Sequence, residues 1–153
     1  MNKDASSTAP HKRPSGMTRS MVRAGGAIHG FLYRHGMARK MGKMQQVLLT
    51  TTGRKSGQPH TVALGAVPEG DGWVVIGSHG GAQVHPSWWL NMVANPYVTL
   101  QVNDQVIKAR MQEITNPADR ERIWNNVVAN GKGYANYPKK TSRVIPLGWL
   151  RPV

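Results

Sequence analysis

The segment GRKSGQPH (53–60) sets two adjacent cations, Arg54 and Lys55, between glycines, with His60 just beyond. Gly57 and Pro59 punctuate a turn there, and such a turn can aim backbone N–H groups and the arginine fork at one phosphate. The same residues also read as a solvated hairpin with incidental bases. A second bend, GSHGG (77–81), offers the Ser78 hydroxyl, the His79 imidazole and amides loosened by Gly77 and Gly80, which suit an anion or the edge of a ring. Trp88 and Trp89 follow. Neighbours on a helix diverge by about 100°, so one ring can fill a core while the other faces a cleft; two core tryptophans are the alternative. Tyr134 and Tyr137 stand three apart in a segment of Gly, Asn and Lys. Two phenols so placed can close over a flat ligand and donate a proton, or simply anchor a loop.

Other chemistries find little support. With no cysteine there is no disulfide, thiolate nucleophile or Cys-ligated metal. Glu69 and Asp71 share one turn and Asp104 lies in another, so paired carboxylates are missing. Ser56, Ser78 and Ser87 stand in no G-x-S-x-G context. His79 and His85 are six apart without a nearby acid, and H-E-x-x-H does not occur.

The elements that must position these residues follow from the hydrophobic period. VLLTTTG (47–53), HTVALGAV (60–67) and WVVIGS (73–78) read as strands, the second and third joined through PEGDG (68–72). Pro86 opens a helix, HPSWWLNMVAN, that ends before Pro96. YVTLQVN (97–103) and QVIKARMQEI (105–114) alternate as half-buried strands around a tight turn at Asn103-Asp104. Asn116-Pro117 opens a second helix that runs to Gly131, and a tyrosine-bearing loop leads to a last strand, RVIPLGWL (143–150). Six strands in consecutive hairpins, with two short helices, predict a mainly β chain with helices: a closed or partly closed antiparallel barrel rather than a βαβ sheet.

The 153 residues suit one domain, expected at 41–153, behind a disordered basic tail at 1–16 and an amphipathic helix at 17–40. No apolar run approaches the roughly 20 residues of a membrane span, and 1–16 lacks the core of a secretory signal, so a cytoplasmic protein is expected. The net charge is +13, unevenly spread: residues 1–55 hold eleven bases and one acid, residues 56–107 three acids and no Lys or Arg. Such a chain meets something acidic. Nucleic acid is disfavoured, because the aromatics of 73–97 fall in the stretch without bases. Arg19, Arg23 and Arg34 share one sector of the N-terminal helix, opposite Met17, Met21, Ala24, Ile28, Phe31 and Leu32. That layout predicts peripheral contact with an anionic membrane surface, with packing on the barrel or on a second copy as the alternative.

Taken together, LLTTTGRKSGQPH (48–60), VVIGSHGGAQVHPSWWLNMVANP (74–96) and the Y-x-x-Y of Tyr134 and Tyr137 resemble the deazaflavin-dependent nitroreductases and F420H2-dependent quinone reductases of actinobacteria. The resemblance spans roughly residues 40–153. It implies a split β-barrel of the flavin-reductase-like type and coenzyme F420, a hydride carrier with a phosphate and a glutamate tail, bound in the barrel cleft. Hydride would pass to an electron-poor quinone, enone or nitro-heteroaromatic, which explains the shortage of other catalytic groups. An FMN-binding split-barrel reductase is the nearest alternative.

The resemblance implies that Arg54, Lys55 and His60 hold the anionic tail, that the segments around Ser78 and Trp88 line the ring, and that Tyr134 closes the substrate side. With the turn residues Ser56, Gly57, Pro59, Gly77, His79 and Gly80, these form the expected cofactor site. Tyr134 and Ser78 are the expected proton donors, and Tyr134, Tyr137 and Gly65 the expected substrate contacts. His79 replaces the lysine of the nitroimidazole-activating members, and Ala63 and Gly65 replace a proline and a tyrosine. These smaller residues are expected to open the pocket.

Overall fold

The computed structural model describes residues 44–131 and 133–153; the expected tail and the helix at 17–40 lie outside them. Six strands form in chain order: β1 (Gln45–Thr52), β2 (Pro59–Glu69), β3 (Gly72–Ile76), β4 (Tyr97–Val102), β5 (Gln105–Glu113) and β6 (Leu147–Pro152). Helix α1 (Ser87–Ala94) separates β3 from β4, while α2 (Pro117–Asn130) and α3 (Tyr137–Lys140) lie between β5 and β6. All pairings are antiparallel, and the order β1-β2-β3-β6-β5-β4 closes on itself through β1 and β4, from Val47 opposite Val102 to Thr50 opposite Thr99. The expected six-stranded barrel is therefore present.

Alternation along the strands makes two apolar layers. One row points inward: Val47 and Leu49 of β1, Ala66 of β2, Val75 of β3, Leu100 of β4 and Leu150 of β6 all lie in one buried cluster, which Trp89 and Met92 of α1 complete. The interior is thus filled by side chains among the described residues. The outward row of Val67, Val74, Ile76 and Leu147 packs beneath Ile123 and Val127 of α2. That helix begins where its sequence says it must: the Asn116 side chain accepts from the amides of Ala118 and Asp119 at 3.0 and 3.2 Å, and Pro117 follows.

Gly148 marks the closest approach in the inner layer. A Cβ there would stand 2.8 Å from Trp89 Cζ3, so α1 seats its tryptophan against bare backbone of β6. Gly148→Ala is expected to lower stability by about 1–3 kcal/mol, as overpacking does. An unchanged urea midpoint would mean that Trp89 can move aside freely.

Two expectations differ from the structure. The last strand begins at Leu147 rather than Arg143, because Arg143 turns its side chain inward to the 77–85 segment and the Pro146 carbonyl accepts from the Gly77 amide at 2.9 Å. The tyrosine loop is partly helical, with a 3₁₀ turn at Tyr134–Asn136 and then α3, whose first turn holds Pro138.

Candidate active site

The β1–β2 turn is built to expose cations. Gly53 donates to the Gln58 carbonyl at 2.8 Å, Gly57 donates back to Gly53 at 2.8 Å, and Gly57 takes a φ of 69° that glycine adopts without strain. Ser56 Oγ accepts from the Gln58 amide at 3.1 Å and lies 3.4 Å from His60 Nε2. Arg54 is fixed from below. Its amide and its guanidinium both donate to Asn91 Oδ1, at 3.1 and 2.9 Å, and the guanidinium also reaches the Ser87 carbonyl at 3.5 Å. Asn91 is buried in α1, and its own amide donates to Thr51 Oγ1 at 3.2 Å. A buried amide engaged through both its oxygen and its nitrogen therefore orients an exposed guanidinium that lines a cleft.

That cleft measures about 580 Å³ and runs between the β1–β2 turn and the first turn of α1. Arg54, Lys55, Ser56 and His60 line one side, Ser87, Trp88 and Asn91 the other. No carboxylate lies among its lining residues. Two of the acids sit at the far end of β2, where Glu69 pairs with Arg122 at 2.7 Å and Asp71 with Arg151 at 3.4 Å. The eleven residues of β2 hold the two poles roughly 30 Å apart. Trp89 is 3% exposed in the core, whereas Trp88 is half-buried with its ring at the cleft. An apolar wall therefore faces a cationic one.

The 77–85 segment leads directly into α1 and carries a second set of donors. Ser78 is right-handed (φ −72°, ψ −34°), and His79, Gly80 and Gly81 follow with φ of 47°, 62° and 84°. A right-handed residue followed by left-handed ones turns consecutive N–H groups toward one concavity. Among the described residues none accepts from the amides of Ser78, His79 or Gly80. His79 is a non-glycine residue in left-handed space, a cost of about 1–3 kcal/mol that persists only where surroundings impose it. Two fastenings do so here. His79 Nδ1 lies 3.2 Å from the Val84 carbonyl oxygen, and the Arg143 guanidinium donates to the carbonyls of Gly77, Ser78 and Ala82.

Tyr134 and Tyr137 meet edge to face with centroids 5.3 Å apart and pack on the outer layer beneath α2. Burial, with a smaller contribution from Tyr137, raises the Tyr134 pKa above the ordinary tyrosine value, so the phenol keeps its proton. A Cβ at Gly81 would strike Lys140 and approach the Tyr137 carbonyl, so the tyrosine segment rests on the 77–81 bend.

The structure thus brings Arg54, Lys55, Ser56, His60 and Trp88 to one cleft, while Gly77, Ser78, His79 and Gly80 lie on the segment that leads into α1 and are not among the residues lining that cleft. Gly57 and Pro59 lie elsewhere. They line a separate cleft of about 310 Å³ with Thr50, Thr99 and Lys108. Gly65 is buried in β2 opposite Gln46, and Ala63 stands opposite Leu48; neither is among the residues lining the Arg54 cleft. Tyr134 and Tyr137 are not among the residues lining the Arg54 cleft; the segment that carries them rests on the 77–81 bend. Sequence reasoning missed Asn91 and Arg143. The first had a signal, since a residue three after Trp88 shares its helix face; the second had none.

Comparison with known proteins identifies the family. Residues 28–152 match the model of the F420H(2)-dependent quinone reductase family. An F420H(2)-dependent quinone reductase of Mycobacterium tuberculosis is 34% identical over 108 residues, covering 69% of this chain and 72% of that one. The solved F420-H2 dependent reductase FDR-A aligns at 38% identity with a TM-score of 0.64, over 70% of this chain and 94% of its own. A heme storage protein of Vibrio cholerae, HutZ, shares the fold alone at 14% identity and a TM-score of 0.54, over 72% of this chain and 83% of its own.

Proposed function

From the premise that the chain belongs to the F420H(2)-dependent quinone reductase family, we propose that it reduces an electron-poor acceptor with reduced F420 bound in the Arg54 cleft. The acceptor class is a quinone first, with enones and nitro-heteroaromatics as chemically equivalent targets. The carrying observation is the cleft itself, in which an oriented guanidinium and Lys55 stand opposite Trp88. These residues fit a cofactor with a flat ring at one end and phosphate and carboxylates at the other.

Reduced F420 supplies the hydride. The protein supplies the rest. Arg54 and Lys55 offer charge-assisted donors to the anionic tail, and Asn91 keeps the Arg54 fork from folding back. Trp88 gives the ring an apolar face. The amides of Ser78, His79 and Gly80 are assigned to oxygens on a ring edge, a reading supported by the left-handed bend that turns them toward one side. Once an acceptor has taken hydride, its oxygen needs one proton, and the protonated Tyr134 phenol or the Ser78 hydroxyl provides it.

Titration of the protein with F420 and with FMN, followed by mixing of the F420H2 complex with a soluble quinone, tests this reading. Micromolar or tighter F420 binding and deazaflavin oxidation that depends on quinone concentration are expected. Tighter binding of FMN would assign the cleft to the other cofactor.

None of the described helices is long and apolar enough to cross a membrane. Peripheral contact of residues 17–43 with an anionic surface belongs to the same proposal and is supported by their sequence pattern, each base near such a surface adding roughly 1 kcal/mol. At low salt the full chain should sediment with anionic vesicles and a chain starting at Lys43 should not. Both forms staying in the supernatant would remove the membrane contact.

A further inference from the structure

Arg143 lies outside the chain segments that line the Arg54 cleft, yet almost its whole guanidinium is spent on one of the site's two donor segments. Nε donates to the Ala82 carbonyl at 2.8 Å, one terminal nitrogen to the Gly77 carbonyl at 3.0 Å, and the other to the Ser78 carbonyl at 2.8 Å. The first terminal nitrogen also lies 3.0 Å from His85 Nδ1. A single planar group thereby joins both ends of the bend and its exit into α1. Neighbouring contacts strengthen the join: Thr141 Oγ1 donates to Gln83 Oε1 at 3.0 Å, and the Gln83 amide donates to the Lys140 carbonyl at 3.1 Å.

We propose that Arg143 is a positioning residue for hydride transfer: it clamps the 77–85 segment so that the amides of Ser78, His79 and Gly80 converge on the ring edge of the bound cofactor. The assignment rests on the reading of the adjacent cleft as the F420 site. Three consecutive left-handed residues would relax to other conformers if left alone, because glycines at 80 and 81 allow many. The clamp removes those alternatives by holding the carbonyls on either side of the bend. The fork matters more than the charge. Three carbonyls set around one plane match the rigid guanidinium donors, whereas an ammonium is a single point on a flexible stem. The three carbonyls are neutral, so the positive charge of Arg143 is not cancelled by them, and it backs the amides with a field that favours a partly negative oxygen.

The test compares wild type with Arg143→Lys and Arg143→Gln. Amide hydrogen exchange reads the bend directly. F420 binding is set beside binding of the ring fragment that lacks phosphate and glutamates, and kcat is measured with a soluble quinone. In Arg143→Lys, exchange at Gly81 and Ala82, whose amides donate to the Ser78 and His79 carbonyls within the bend, is expected to rise while α2 stays protected, and ring-fragment affinity and kcat to fall, kcat by up to about 10²-fold, as for a misplaced reacting group. Affinity for intact F420 should fall less, since Arg54 and Lys55 still hold the tail. Arg143→Gln should show the same pattern more strongly. Unchanged exchange at Gly81 and Ala82 would show that the bend does not need the clamp, and faster exchange with unchanged ring affinity and kcat would make the clamp purely architectural; either result overturns the proposal. A wild-type protein that fails to bind F420 defeats the cofactor reading instead, while the exchange comparison still decides whether Arg143 holds the bend.

Discussion

Tyr134→Phe should slow quinone reduction by about 10²- to 10⁴-fold, the usual cost of losing a positioned acid, and leave F420 affinity nearly unchanged. The substitution is clean because the ring packs against Gly131 through its Cδ2 and Cε2 edge, and Tyr137 meets it edge to face; Phe keeps both contacts. Only the phenolic proton is lost. Burial raises the Tyr134 pKa, so the neutral, donating form persists above the range where an exposed tyrosine ionises. The alkaline limb of kcat in wild type should accordingly lie above the ordinary tyrosine pKa and disappear in the variant. Wild-type turnover in Tyr134→Phe would pass the proton to Ser78 or to water, and the buried phenol would then be a packing group of the outer layer.

The paired substitution Arg54→Ala with Lys55→Ala should weaken F420 binding tenfold or more. A hydrogen bond to a charged group contributes about 1.5–3 kcal/mol, and both side chains are exposed, which places the effect toward the lower end. Two features make the result diagnostic. The loss should vanish for the ring fragment without phosphate and glutamates, and it should diminish as salt rises. An intact F420 affinity equal to wild type would remove the turn from the site. Folding should be little affected, because the Gly53, Gly57 and Gln58 backbone bonds that shape the turn do not involve either side chain.

Much of this architecture could be read from local signals. The helix start at Asn116-Pro117, its stop at Gly131 and the two-residue turn at Asn103-Asp104 are carried by residues that act on their own neighbours, and each appears where the sequence places it. The last strand was misplaced by four residues for the opposite reason. What holds Arg143 out of β6 is a set of carbonyls some 65 positions earlier in the chain. The cleft shows the same division. Arg54, Lys55 and His60 were legible because one turn supplies all three, whereas Asn91 acts on Arg54 from 37 residues away. Gly57 and Pro59 show the limit of adjacency. They share the turn with Arg54 but face another cleft, since the turn has two sides and the linear sequence does not say which residue takes which.

The position of β6 in the barrel has a consequence for how the molecule comes into being. Between β3 and β5 stands β6, the last of the six strands in chain order, and before it pairs those two strands each present one unpaired edge, from Trp73 to Ile76 and from Ala109 to Glu113. Every other pairing is between strands already made, so synthesis passes through an open five-stranded sheet, the kind of species that recruits foreign strands. The Arg143 carbonyl bonds lie just upstream of β6, and hence the bend at 77–85 acquires its shape in the same late interval. Closure of the barrel and completion of the donor set are therefore one event in time. A chain in which β6 has not yet paired has neither a sealed sheet nor a finished bend, which ties the shape of the 77–85 segment to barrel closure.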